Sequence, residues 1–249
     1  MTLLLAQISD LHLDGTDRAL RRATRVMDHL RALPRPVDAV LVTGDIADHG
    51  EEAEYEQAAQ VLAAPFPVLT CPGNHDARPA YRKAMLRQPP GSGPINEVHH
   101  VGGAAILMCD STIPGRDEGR LDAETLTWTH ATLDGLAPGT PALIAFHQPP
   151  VALHHPLPDS QRLEGTGDLA ELLDAHPQVV AVLTGHAHTA AVSTFGGRPL
   201  IVAPAVTWTL RLPWEGDRPA DLEQPPALAF HILDDDRRLT THYRVVPEA

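Results

Sequence analysis

Seven side chains able to hold metal ions stand just beyond apolar runs in this sequence: Asp10 and His12, Asp45, Asn74, His147, and His186 and His188. Two carboxylates, an amide oxygen and four imidazoles mix hard oxygen with borderline nitrogen donors, and no thiolate is among them. Mn2+, Fe2+/Fe3+, Zn2+ and Co2+ all accept such donors. The set is too large for one ion. Two ions sharing a bridging carboxylate would use it, and ions about 3.5 to 4 Å apart suit displacement at phosphorus. In extended chain the paired residues of Asp10-x-His12 and of His186-x-His188 would project to one side about 6.6 Å apart, so both members could reach one cluster.

The stretch Cys71-Pro-Gly-Asn-His-Asp76 shows how the chain would present such groups. Phe66 to Thr70 reads as a short buried strand, and the breaker pair Pro72-Gly73 turns the chain outward, placing Asn74, His75 and Asp76 on a loop. Open α/β sheets keep their ligand sites at such strand ends. The other donors arrive in the same way. Leu3 to Ile8, Val37 to Thr43, Ala142 to Phe146 and Val179 to Thr184 read as strands that run into Asp10/His12, Asp45, His147 and His186/His188.

Between these strands the sequence predicts helices over Asp17 to Leu33, Glu52 to Ala63, Ala80 to Arg87 and Asp122 to Leu136, with Asp168 and Glu171 as a capping pair for a helix ending at His176. Ala104 to Cys109 is a further strand. Beyond His188 the pattern alternates like antiparallel sheet, with strands at Ala191 to Phe195, Leu200 to Ala203, Ala227 to Leu233 and Leu239 to Val246. Pro204 to Pro226, rich in Pro and carrying Trp, reads as a long functional loop.

At 249 residues the chain suits one α/β domain spanning 1–249. A formal charge of −13 argues against a surface that tracks a nucleic-acid backbone, which needs clustered Lys and Arg. Cys71 and Cys109 each end an apolar run and read as buried free thiols, so a reducing cytoplasm is the expected location. The apolar run Leu3 to Ala6 is too short for a signal peptide or a membrane span. There is no P-loop, no Gly-x-Ser-x-Gly and no Cys-x-x-Cys, so ATP-driven, serine-hydrolase and thiol-redox chemistries find no support.

Taken together, Asp-x-His, Gly-Asp, Gly-Asn-His-Asp, His and Gly-His-x-His, in that order, resemble the calcineurin-like metallophosphoesterase superfamily. Asp76 makes the third block similar to that of the bacterial class III cyclic nucleotide phosphodiesterases. The resemblance implies a four-layer α-β-β-α sandwich of two mixed sheets. It also implies a first metal held by Asp10, His12, Asp45 and His188, and a second held by Asp45, Asn74, His147 and His186. His75 would sit by the phosphoryl group with Asp76 orienting it, and a hydroxide bridging the ions would attack a phosphodiester, 3',5'-cyclic nucleotide in the first instance. Gln148 departs from the pattern, since relatives often carry a second histidine there. The resemblance leaves a homodimer open.

Other readings stay beside this one. A glycerophosphodiesterase, a nucleotidase or a monoester phosphatase could use the same site, and a scaffold could keep the fold without the reaction. Individual histidines are more often structural or exposed than functional. On that ground His99, His100, His154 and His155 are read as surface residues, Asp48 and His49 as a solvated turn, and Trp208 and Trp214 as anchors of their loop.

Overall fold

Two mixed β-sheets face each other across a largely apolar layer, because each central strand is hydrophobic on both sides and needs cover on both. The computed structural model describes residues 2–247. The first sheet has five strands in the order β15 (Leu239–Val245), β14 (Ala227–Leu233), β1 (Leu3–Ile8), β2 (Ala39–Thr43), β3 (Val68–Cys71). The second has six: β10 (Ala191–Phe195), β11 (Arg198–Val202), β9 (Val179–Thr184), β7 (Ala142–Ala145), β5 (Ala104–Met108), β4 (Glu97–Val101). Two small ribbons pair β6 (Gly119–Arg120) with β8 (Leu163–Glu164) and β12 (Thr209–Leu210) with β13 (Ala220–Asp221).

Alternation along each strand assigns the layers. Leu3 and Leu5 of β1 meet Leu41, Leu69, Ile106, Met108, Leu143 and Leu183 between the sheets. Their neighbours Ala6 and Ile8, with Val40 and Val42 of β2, pack outward beneath α1 (Asp17–Arg31), α2 (Glu52–Val61) and α3 (Arg78–Ala84). On the far side Leu107, Ile144 and Val182 lie under α4 (Ala123–Asp134) and α6 (Thr166–Ala175), which contribute Leu133, Leu169, Leu172 and Leu173. Three apolar layers between four structural ones make the expected α-β-β-α sandwich. Helix α1 shows the local cause: Ala19, Ala23, Val26, Met27 and Leu30 share one buried stripe.

Topology then decides where the polar tips go. Strands β1, β2 and β3 run parallel to one another, as do β5, β7, β9 and β11, while β14, β15, β4 and β10 are antiparallel additions. Parallel strands end on the same side. Asp10, Asp45, Asn74, His147 and His186 each follow the last residue of such a strand by two or three positions, so they emerge at common edges.

Some expectations fail for local reasons. Residues 97–101 form β4 paired to β5, so His99, expected on the surface, is half-buried, while His100 is exposed as expected. Gly165, at φ +64°, is the N-cap of α6, so Asp168 and Glu171 lie inside the helix and do not cap it. The loop after His147 carries a short helix, α5 (Pro156–Ser160), and His155 is buried because its Nδ1 accepts the Leu157 N–H at the helix start. The segment from Pro204 to Pro226 contains the β12–β13 ribbon. Cys71 and Cys109 are buried free thiols.

Candidate metal centre

Five of the seven donors occupy left-handed backbone: Asp10 at φ +55°, His12 at +44°, Asp45 at +49°, His186 at +68° and His188 at +51°. Non-glycine residues adopt this region at a cost, and such strain clusters at functional sites. The geometry also corrects the extended Asp-x-His and His-x-His picture. Each pair is curled at both of its members, which turns the side chains into one cavity. Gly73 permits a close approach, because a Cβ there would strike the Asp45 carboxylate and backbone.

The seven side chains converge. Asp10, His12, Asp45 and His188 bring one ligand-type atom each within 4.8 Å of the others, and so do Asp45, His147 and His186. Asp45 belongs to both groups: its Oδ2 lies 3.4 Å from His12 Nε2 and 3.2 Å from His147 Nε2. His188 Nε2 is 3.4 Å from Asp10 Oδ1 and 3.1 Å from His12 Nε2. Asn74 Oδ1 joins the second group, 3.1 Å from His186 Nδ1, which is 3.3 Å from His147 Nε2.

Three of these rings are oriented by partners on their other nitrogen. The Nδ1–H of His12 donates to Asp48 Oδ1 at 2.7 Å, that of His147 to the Thr43 carbonyl at 2.7 Å, and that of His188 to the Trp208 carbonyl at 3.2 Å. These bonds commit each Nδ1 and leave each Nε2 facing the cavity, the usual arrangement behind metal-binding imidazoles. The Nε2 atoms of His12 and His188, 3.1 Å apart, together with the buried Asp10 Oδ1 that has no hydrogen-bond partner, fit a cation. Residues and group therefore agree.

Asp48 was not legible in the sequence, where it reads as a solvated turn; the structure makes it the partner of His12. Only its place three residues after Asp45 hinted at this. Its carbonyl also accepts the Nδ1–H of His75 at 2.7 Å. Asp76 therefore does not orient His75. Its carboxylate accepts the backbone N–H of Gly73, Ile46 and Ala47 at 2.8, 3.2 and 3.1 Å, clamping the loop after β3 to the loop after β2. The Trp208 ring packs against His188 with centroids 4.0 Å apart and a 40° tilt, and it also lines the cleft. Trp214 is exposed. His49 stays on the surface, bonded to Glu54.

Electrostatics follow from burial plus crowding. Burial, with the Asp45 charge beside it, pushes Asp10 up to about 6 against the pull of His147. Burial would lower His147, yet the Asp45 carboxylate lifts it to about 9. Burial and His147 push His186 down to about 3. Two carboxylates buried side by side, Asp10 and Asp45, favour positive charge between them. The donors open onto a cleft of about 370 Å³, also lined by His75, Asp117, Leu157, Gln161 and Trp208.

Stacked sheets with two donor groups sharing a carboxylate define the class: a metallophosphoesterase-type α/β sandwich. The chain belongs to the calcineurin-like phosphoesterase family, whose profile matches residues 3–190. It is 34% identical over 220 residues to a Mycobacterium tuberculosis protein named as a cAMP/cGMP dual specificity phosphodiesterase, covering 83% of this chain and 68% of that one. It is 30% identical over 241 residues to the glycerophosphodiester phosphodiesterase GpdQ of Enterobacter lignolyticus, covering 92% and 86%. A dimetal phosphatase structure from Danio rerio superposes with a TM-score of 0.74 at 17% identity, covering 99% and 97%, and so shares the fold.

Proposed function

We propose that this protein is a metal-dependent phosphodiesterase whose substrate is a 3',5'-cyclic nucleotide. The observation that carries the reading is the pair of buried donor groups joined through Asp45. Asp10, His12, Asp45 and His188 would hold one divalent ion and Asp45, Asn74, His147 and His186 a second, with Mn2+, Fe2+/Fe3+, Zn2+ and Co2+ all compatible. Bound ions supply Lewis acidity toward the phosphoryl oxygens and bring the ionisation of water near neutral pH.

The chain's own residues do the rest. Asn74 can coordinate through Oδ1 while its NH2 remains available to a phosphate oxygen. His75 lines the cleft with Nδ1 committed to the Asp48 carbonyl, so Nε2 is the atom that meets the leaving oxygen. Asp76 holds the two loops in register. No side chain needs to become covalently attached to phosphorus. The relatives' names support a diester, and GpdQ keeps a glycerol diester as the second reading. We place the enzyme, as one domain, in a reducing compartment such as the cytoplasm, on the strength of its two free thiols.

The test is Mn2+-supported hydrolysis of cAMP, of a glycerol diester, and of bis(p-nitrophenyl) phosphate against p-nitrophenyl phosphate, with metal analysis of the purified protein. Two bound transition-metal ions per chain and preference for diesters are expected. A much faster monoester reaction overturns the diesterase assignment, and a metal-free, inactive protein overturns the enzyme.

A further inference from the structure

Part of the cleft wall is built from residues that the reaction above does not use. Gln161 Nε2 donates to Asp117 Oδ2 at 2.9 Å, which turns the Gln161 carbonyl away from that bond. Among the described residues, Asp117 Oδ1 and Gln161 Oε1 have no hydrogen-bond partner, so the pair offers two acceptors to whatever enters. Leu157, Pro158 and Trp208 supply apolar surface to the same cleft, and no Lys or Arg among the described residues lines it. A second anionic group on a substrate would find no counter-charge there and would meet a carboxylate.

The pair's own hydrogen bond is exposed, but the Asp117 backbone is tied to the interior. The Asp117 carbonyl accepts from Gln148 Nε2 at 3.2 Å, Gln148 Oε1 accepts from the Ser111 hydroxyl at 2.6 Å, and Ser111 Oγ accepts the backbone N–H of His147 at 3.2 Å. Gln148 is buried, and Gly119 leaves room for it, since a Cβ there would strike its carbonyl. The position at which this sequence departs from the family pattern therefore ties the cleft wall to the peptide of a metal-type donor. Distance between wall and donor cluster is set by a short chain of bonds.

We infer that Asp117 and Gln161 form a specificity-determining subsite for a neutral, hydrogen-bond-donating part of the alcohol esterified to the phosphate. The donor could be the amino group of a nucleobase or the hydroxyls of a polyol such as glycerol; both present N–H or O–H to paired acceptors beside an apolar wall. The inference rests on the phosphodiesterase reading.

The experiment uses the full Mn2+-loaded chain, as wild type, Asp117→Ala, Asp117→Asn and Gln161→Leu. Its substrates are cAMP, 3',5'-cyclic inosine monophosphate (a carbonyl in place of the amino group), glycerophosphoglycerol and the donor-free bis(p-nitrophenyl) phosphate. In Asp117→Ala the ratio of kcat/KM on the preferred donor-bearing diester to that on bis(p-nitrophenyl) phosphate should fall about tenfold, through KM. A fall for cAMP without one for the inosine analogue identifies the amino donor, and a fall for the glycerol diester identifies hydroxyls. An unmoved ratio on a substrate that the wild type turns over, or a parallel loss on all substrates, overturns the subsite alone. A wild type active only on bis(p-nitrophenyl) phosphate overturns subsite and substrate reading together.

Discussion

The His12 imidazole and the Asp48 carboxylate meet at 2.7 Å, on the side of the ring that faces away from the donor cluster. Asp48 thereby decides which nitrogen of His12 carries the proton and which presents a lone pair. Removing an outer partner of this kind usually costs ten- to a hundredfold in metal affinity or activity, by order of magnitude. Asp48→Ala should show a loss of about that size in Mn2+ affinity measured by calorimetry, and Asp48→Asn, which keeps an acceptor oxygen, a smaller one. Equal affinity in wild type and Asp48→Ala would remove Asp48 from the site.

His75 and Asp76, neighbours in sequence, should separate in their effects. Asp76 accepts three buried backbone N–H bonds, and Asp76→Ala leaves those donors without a partner, at roughly 3 kcal/mol or more. His75 is exposed to the cleft and holds one hydrogen bond to a carbonyl. His75→Ala should lower kcat by about a hundredfold with a nearly unchanged melting temperature. Urea titrations alongside kinetics decide this, and a large loss of stability in His75→Ala would contradict it.

Arg22, on α1, reaches across to the segment that carries Trp208: its Nε donates to the Val206 carbonyl and its Nη2 to that of Gln224, each at 2.7 Å. The next residues bond back to β1 and its end, Val206 N–H to the Ser9 carbonyl and Thr207 N–H to that of Asp10. Arg22→Lys cannot reproduce the planar two-point contact. It should loosen the Trp208–His188 contact and weaken one Mn2+ site several-fold while leaving the other close to wild type. Two sites weakened equally would assign Arg22 a general structural role instead.

His231 sits between the sheets, with Nε2–H donating to Gln7 Oε1 at 3.0 Å and Nδ1 accepting from the Thr241 hydroxyl at 2.9 Å. Burial holds its pKa down to about 3, against 6.5 ordinarily. In the interval between those values the unfolded chain binds the proton and the folded one does not. The contribution of a neutral His231 is therefore complete above about pH 6.5 and declines as pH falls toward 3, by about 1.4 kcal/mol per pH unit. Urea unfolding of wild type and His231→Gln should show their stability difference shifting against the wild type at that slope below pH 6.5. A pH-independent difference would mean that His231 titrates normally.

Gln7 shows why part of this molecule could not be read from the chain alone. It looks like one polar residue in an apolar strand, yet its Nε2 bonds the Thr43 hydroxyl and, 177 positions away, the Thr184 carbonyl. Nothing local signals such a bridge, which exists only once the sheets stack. Asp48 is illegible for the same reason: in sequence it is a polar residue in a turn, and its partner His12 comes from the loop after another strand.

The sequence by itself determined the central strands that carry the donors, the seven donors and the order in which they appear, since each of these is a matter of residue type and short-range spacing; β4 and the two small ribbons it did not mark. Tertiary structure alone decided that the donor pairs are curled and not extended, that Asp48 and not Asp76 governs His75, and that the Nδ1 atoms of His12, His147 and His188 are held by Asp48, Thr43 and Trp208. Those outcomes depend on which groups meet across a packed interface, and hydrogen-bond geometry between distant segments has no imprint on local periodicity.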